Sequence, residues 1–202
     1  MQIYGVELID QGDMVIHHQR RTERPFESES VAAWVAACSA GLAIDVGAYT
    51  GLYAILAARS GARAMALEPN PAAHARLLEN VEANGVTVDC RQLAASSRDG
   101  TARFVGRPGL ALTSAGRIAA GTGVRVVAID SLALDDVRAI KIDTEGHECQ
   151  VIEGAAATLA RCRPLIITEA LNPAARTSQQ QLLEPMGYQA QPADEWNLIW
   201  TA

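Results

Sequence analysis

Residues Leu42-Ala43-Ile44-Asp45-Val46-Gly47-Ala48-Tyr49-Thr50-Gly51 join a short β-type apolar run to a helical segment that begins at Leu52. That junction decides the fold. Glycines at a strand-to-helix turn mark the place where doubly wound α/β proteins bind ligands. The chain must turn sharply there, and a side chain would hold the ligand off the amide groups at the helix N-terminus. Seventeen residues after Gly51, Glu68 closes a second apolar run, Ala64-Met65-Ala66-Leu67. A carboxylate at such a strand tip can accept hydrogen bonds from both hydroxyls of a ribose. Together the turn and the acid read as a nucleoside-cofactor pocket. The glycine spacing is D-x-G-x-x-x-G rather than G-x-G-x-x-G, so no pyrophosphate cradle is visible.

Composition narrows the setting. A chain of 202 residues, 49% hydrophobic and 20% charged, suits one soluble α/β domain over 1–202, with an N-terminal hairpin and helix in 1–40 and a cofactor-binding and catalytic core in 41–202. A net charge of −6 and a pI near 5.2 weigh against nucleic acid or an anionic membrane as partner. The cluster Arg20, Arg21 and Arg24 reads as a solvated face. Cys38, Cys90, Cys149 and Cys162 form no C-x-x-C pair and read as buried thiols of a reducing compartment. The N-terminus lacks a basic region followed by an apolar core, and no apolar run approaches transmembrane length, so a cytoplasmic location is expected.

Outward from the glycine turn, 3–9 and 14–18 read as a β-hairpin that forms a lid, and 25–38 as a helix with Val31, Trp34, Val35 and Cys38 on one face. After Glu68, Pro69-Asn70-Pro71 reads as a turn, Leu77, Leu78 and Val81 mark a helix that runs to Gly85, and a third strand covers 86–93. Residues 96–122 read as a small hairpin turning at Asp99-Gly100 and a mobile loop beside the pocket. Strands are expected at 124–129, 139–142 and 165–168, helices at 148–160 and 178–186, and a final hairpin runs through Tyr188, Asn197 and Trp200. Trp196 and Trp200 could line an acceptor pocket, but tryptophans of a terminal hairpin more often pack in the core.

Ile140-Lys141-Ile142-Asp143-Thr144-Glu145-Gly146-His147-Glu148 crowds a second strand tip with ionisable groups. Lys141 is the only lysine of the chain and sits within an apolar strand, where its ammonium needs a partner. Glu169, at the end of Leu165-Ile166-Ile167-Thr168, is the expected one, because parallel neighbours deliver their C-terminal residues to one edge.

These pieces in this order resemble the FkbM family of S-adenosylmethionine-dependent methyltransferases: Asp45 to Gly51; Leu67-Glu68-Pro69-Asn70-Pro71; Leu78-Glu79-Asn80 with Asn84; Ala94-Ala95-Ser96 with Asp99-Gly100; Ile140 to Glu148; and Pro164-Leu165-Ile166 with Glu169. The resemblance spans about residues 40 to 170. It implies a Rossmann-like class I methyltransferase fold, a mostly parallel seven-stranded sheet with helices on both faces. It also implies a pocket in which Asp45, Gly47, Tyr49, Thr50, Gly51, Glu68, Pro69, Leu93, Ala94 and Asp143 hold S-adenosylmethionine, with Asp45 near the methionine ammonium and Leu93 on the adenine face. Where the family often carries Asn, this chain has Tyr49, whose phenol either borders the ligands or lies exposed at the turn.

Methyl transfer is an in-line displacement, so alignment and exclusion of water matter most, and an alcohol acceptor must also lose a proton. Asp143 and His147 are the candidate bases, and Glu169 completes the catalytic set. Glu145 and Glu148 are suited to cap the following helix. Asp143, Glu145 and Glu169 could also gather a divalent metal, which displacement at a sulfonium does not require. The expected acceptor is a small molecule, a hydroxyl on a sugar, glycolipid or secondary metabolite, with an amine or carboxylate as lesser options. A non-catalytic module of the same fold is the alternative.

Overall fold

The computed structural model describes residues 1–22, 24–106 and 116–202. Its centre is a seven-stranded sheet in the order β11-β12-β10-β9-β3-β4-β5. Here β3 is Leu42–Val46, β4 Arg63–Leu67, β5 Val88–Arg91, β9 Val137–Ile142, β10 Leu165–Glu169, β11 Gln189–Ala193 and β12 Asn197–Thr201. Strands β5, β4, β3, β9 and β10 are parallel neighbours, and β12 is antiparallel to both β10 and β11. From β3 the chain builds outward to β4 and β5, and later from β9 to β10 on the other side. The strand order therefore reverses between β3 and β9, and such a switch point opens a crevice at the carboxyl ends of the strands.

The strands are nearly continuous apolar runs because both faces are covered. On one face, α2 (Ser28–Ala37) and α3 (Leu52–Ser60) bury Trp34, Tyr53 and Ile55. On the other, α5 (Glu148–Glu153), α6 (Ala156–Cys162) and α7 (Pro173–Leu183) pack Val151, Leu159 and Leu183 against Ile44, Ile140 and Trp200. Trp200 donates its indole N–H to Thr168 Oγ1 at 2.8 Å and is a core residue, whereas Trp196 is half exposed. Helix α4 (Pro71–Ala83) begins where the side chain of Asn70 accepts from Ala72 N and Pro71 takes the first helical position. No helix among the described residues is long and apolar enough to cross a membrane.

Several elements differ from expectation. The N-terminal hairpin is only β1 (Gln2–Ile3) with β2 (Val6–Glu7), and 14–18 is not its second strand but part of α1 (Met14–Thr22). Asp13 explains the difference: its Oδ1 accepts from Val15 N and Ile16 N, which caps a helix start. The third strand ends at Arg91, and β6 (Ala94–Ala95) leaves the main sheet for a smaller one, β6-β8-β7. In that sheet β8 (Arg117–Val127) contains most of the strand expected at 124–129 and pairs antiparallel with β7 (Gly100–Val105). Asp99-Gly100 is therefore not the turn of that hairpin; Asp99 Oδ1 instead accepts from Ala128 N. The expected mobile loop falls partly on 107–115, outside the described residues. The helix expected over 148–160 is broken after Glu153, because Asp130 accepts from Ala157 N and Thr158 N and so caps a new helix. The last helix begins at Pro173, capped by Asn172, rather than at 178. Of the cysteines only Cys38 is buried; the other three are half-buried.

The N-terminal segment is tied to the core. Asn80, fully buried, donates to Thr50 O at 2.8 Å and accepts from Ile9 N at 3.0 Å, while Asn84 exchanges hydrogen bonds with both backbone groups of Glu7. Ile3, Val6, Leu8 and Ile16 share one core cluster with Trp34 and Tyr53.

Candidate active site

At the switch point the carboxyl ends of β3, β4 and β9 surround a cleft of about 950 Å³, its mouth included. Gly47 makes this junction possible. Its φ is +78°, and a Cβ on it would fall on the carbonyl of Asp143, so only glycine lets the ends of β3 and β9 meet. Gly51, at φ +94°, leaves room for Leu77 and opens α3.

Asp45 and Glu68 enter from adjacent strands. Asp45 is 3% exposed and its Oδ2 accepts from Ala54 N at 3.0 Å; burial pushes its carboxyl up to about 7, against the pull of Lys141. Glu68 is 6% exposed, with Oε2 accepting from Tyr49 N at 2.8 Å and Oε1 from Asn70 N at 2.7 Å. Burial holds Glu68 at about 7 although both N–H groups favour its charge. Thr50 Oγ1 is buried with no hydrogen-bond partner among the described residues. Two strand-tip carboxyls, an orphaned hydroxyl and an apolar wall of Pro69, Leu93 and Ala94 form a donor set that suits a nucleoside carrying a cationic tail. Tyr49, at φ +49°, is buried rather than exposed, and its phenol oxygen accepts from Met14 N at 3.1 Å.

Asp143 and Lys141 form the floor. Lys141 Nζ lies 2.6 Å from Asp143 Oδ2 and 4.7 Å from the centroid of the Tyr53 ring. The partner of Lys141 is thus Asp143 and not Glu169. In register, Lys141 faces Ile167, and Glu169 lies two residues further along β10; Asp143, two residues on in its own chain, projects to the same side as Lys141. Asp45, Lys141 and Asp143 all line the cleft, and Glu169 does not. Glu169 stands behind it, half-buried, with Oε2 unpartnered among the described residues. Burial, then the charges of Asp143, Glu145 and Glu148, push its carboxyl up to about 9.

His147 lines the cleft with Nε2 at 2.9 Å from Ser96 Oγ. Burial lowers its pKa, with Glu148 and Glu153 acting the other way. Glu148 organises the loop before α5: Oε1 accepts from Thr144 N, Thr144 Oγ1 and Gly146 N. Among the described residues no group of three metal-ligating side chains converges. Val15 and Phe26 from the N-terminal segment, and Phe104 and Ile118 from the stretch expected beside the pocket, line the cleft with Tyr53, although no motif named them individually. Of these only Tyr53 carried a residue-level signal, an aromatic hydroxyl two residues after the glycine motif.

Residues 45–189 match the methyltransferase FkbM domain. The chain belongs to the FkbM methyltransferase family. This is a family of S-adenosylmethionine-dependent methyltransferases, and its matched span takes in every strand tip of the cleft. None of the curated proteins is a detectable relative in sequence. Among solved structures, the chain resembles methyltransferase FkbM from Methylobacillus flagellatus, with TM-score 0.59 and 18% identity over 81% of this chain and 44% of that one. It therefore spans less than half of that protein. A precorrin-6y C5,15-methyltransferase from Geobacter metallireducens gives 0.54 at 16% identity, covering 86% of this chain and 87% of the other. The T. thermophilus 16S rRNA N2 G1207 methyltransferase, solved with AdoMet and guanosine, gives 0.55 at 14% identity over 100% and 48%. These likenesses show the class I methyltransferase fold. Because one neighbour acts on rRNA, the fold does not separate nucleic-acid from small-molecule acceptors, and the expected exclusion of nucleic acid is not supported.

Proposed function

We propose that this protein transfers a methyl group from S-adenosylmethionine to a hydroxyl of a small molecule, with 1–202 acting as one unit. When bound, the cofactor supplies an electrophilic methyl on a sulfonium. Glu68 would hold the ribose hydroxyls, Leu93, Ala94 and Pro69 the adenine, and Asp45 with the turn from Gly47 to Gly51 the methionine end. Thr50 Oγ1 gains a partner there. Asp143 is the proton acceptor for the acceptor hydroxyl, and His147 borders the same space from the far side of the loop.

The observation that carries this reading is the contact of Gly47 with Asp143. It sets the one lysine-paired carboxylate of the cleft beside the turn that would cradle the methionine. The acidic balance of the chain supports an uncharged small molecule over nucleic acid. The test is calorimetric titration with S-adenosylmethionine and S-adenosylhomocysteine, followed by transfer of labelled methyl to a panel of hydroxylated glycosides, lipids and phenols. Micromolar binding and transfer to oxygen support the reading. Absence of binding overturns it, and binding with label appearing only on nitrogen or RNA overturns the acceptor.

A further inference from the structure

The N-terminal segment reaches the cleft at Phe26, although it precedes the residues that match the family. The next residue, Glu27, is held at φ +46°, a left-handed conformation unfavourable for a side chain. A series of contacts holds it. Tyr53 donates its hydroxyl to Glu27 Oε2 at 2.7 Å; the ring of Tyr53 lies under the ammonium of Lys141; and Lys141 meets Asp143 at 2.6 Å. Four side chains from three separate parts of the chain thus stand in line, and the last three of them line the cleft.

Lys141 carries a single positive charge among three acids. Asp143, Glu27 and Asp45 all act on it. A lysine ammonium is a mobile point charge on a flexible stem, so its choice of carboxylate must be imposed. Tyr53 imposes it from one side, by offering its ring face and by occupying Glu27 with its hydroxyl.

We propose that Glu27 and Tyr53 are positioning residues that hold Lys141 against Asp143, so that one chosen carboxylate of an acid-rich cleft serves as the proton acceptor. The inference rests on the role given to Asp143 above. In the step served, the acceptor O–H bond breaks and its proton passes to the Asp143 carboxylate. The acceptor oxygen forms its bond to the methyl carbon as the electron pair of the carbon–sulfur bond returns to sulfur. Burial holds the Glu27 carboxyl above the usual range, and the groups acting on it are Lys141 and Asp143 from β9, Tyr53 from α3 and Asn197 from β12, with Tyr4 and Asp194 nearby.

Because Lys141 is the only lysine, labelling with ¹³C,¹⁵N-lysine gives one side-chain NMR signal that reports this contact directly. In the wild type this signal is expected to show a slowly exchanging ammonium and pH-dependent steps as Glu27 and Asp45 ionise. Glu27→Gln removes one step and leaves that of Asp45, and both Glu27→Gln and Tyr53→Phe speed ammonium proton exchange by about tenfold, as loss of a buried charge-assisted contact allows. Unchanged shift and exchange in the folded variants would overturn the proposal. So would a loss of S-adenosylmethionine affinity in both variants, which would make them cofactor-binding residues. Tyr53→Phe keeps the ring and its packing, so the test stands even if Glu27→Gln does not fold. Wild-type protein that shows the lysine signature but binds no S-adenosylmethionine would break the functional reading and leave the lysine network standing.

Discussion

Glu68 and Glu27 are both largely buried carboxyls that accept hydrogen bonds beside the same cleft, yet they are built in different ways. Glu68 is held by the amides of Asn70 and Tyr49, two and nineteen residues away, all within one strand-turn-helix unit and the strand that follows it. Glu27 is held by Tyr53, twenty-six residues on, and acts on Lys141, which belongs to a strand formed much later in the chain. In the function proposed above, the donor side is thus made of backbone amides at two strand tips, and the acceptor side of side chains delivered from separate elements. Backbone amides are supplied whatever the side chains at 49 and 70, whereas the second geometry depends on each member.

The largest expected effect tests the side-chain half. Asp143→Asn should leave S-adenosylmethionine affinity within a few-fold while turnover falls by roughly 10²–10⁴, the usual worth of a positioned base. Full methyl transfer by this variant would move the chemistry elsewhere. Gly47→Ala tests the backbone half. A Cβ at φ +78° against the Asp143 carbonyl should cost about 2–4 kcal/mol of stability, read by denaturant unfolding. A wild-type midpoint would mean that the two strand ends need not touch.

Glu68→Ala should weaken S-adenosylmethionine binding by about 1.5–3 kcal/mol, roughly 10- to 150-fold, through lost charge-assisted hydrogen bonds. Unaltered calorimetric affinity in a folded variant would remove the ribose assignment. pH separates binding from stability at this same position. Folded Asp45 and Glu68 titrate at about 7, above their ordinary 3.8 and 4.5. Each binds its proton more tightly folded than unfolded, so the stability it contributes is fully present below the unfolded value and is lost as pH rises through about 7. The cofactor-free Tm should therefore fall between about pH 4 and 7, while affinity for S-adenosylmethionine rises over the same range by up to about tenfold per unit below 7. Parallel trends would contradict the ionised-ribose contact. The smallest effect is that of Tyr49→Phe, which removes the bond to Met14 N and should lower stability by about 1 kcal/mol, a few degrees in Tm.

The same contrast sets what could be read from the chain alone. β3 was legible to the residue, as were the roles of Gly47 and Gly51 as turn glycines, because apolar runs and glycine spacing are local signals. The family and the seven-stranded sheet followed from motifs of the same kind. The partner of Lys141 was misplaced because register between parallel strands is a tertiary fact, and a residue two steps along the same strand was nearer than the neighbouring tip. Residues 14–18 were misread because the short apolar run Met14-Val15-Ile16 fits strand or helix until Asp13 is recognised as a cap. Phe26 and Glu27 carried no local pattern at all; only the fold brings them to Tyr53.

Asn80 has a consequence for how the molecule assembles. Its amide grips Ile9 and Thr50 at once, and Asn84 grips Glu7 across 77 positions. Residues 71–84 follow 1–40 in the chain, so the backbone groups of Glu7 and Ile9 have no partner of this kind until helix α4 has formed. Trp34 meets α3 sooner, through Tyr53, so the two ends of the N-terminal segment settle against different helices at different times.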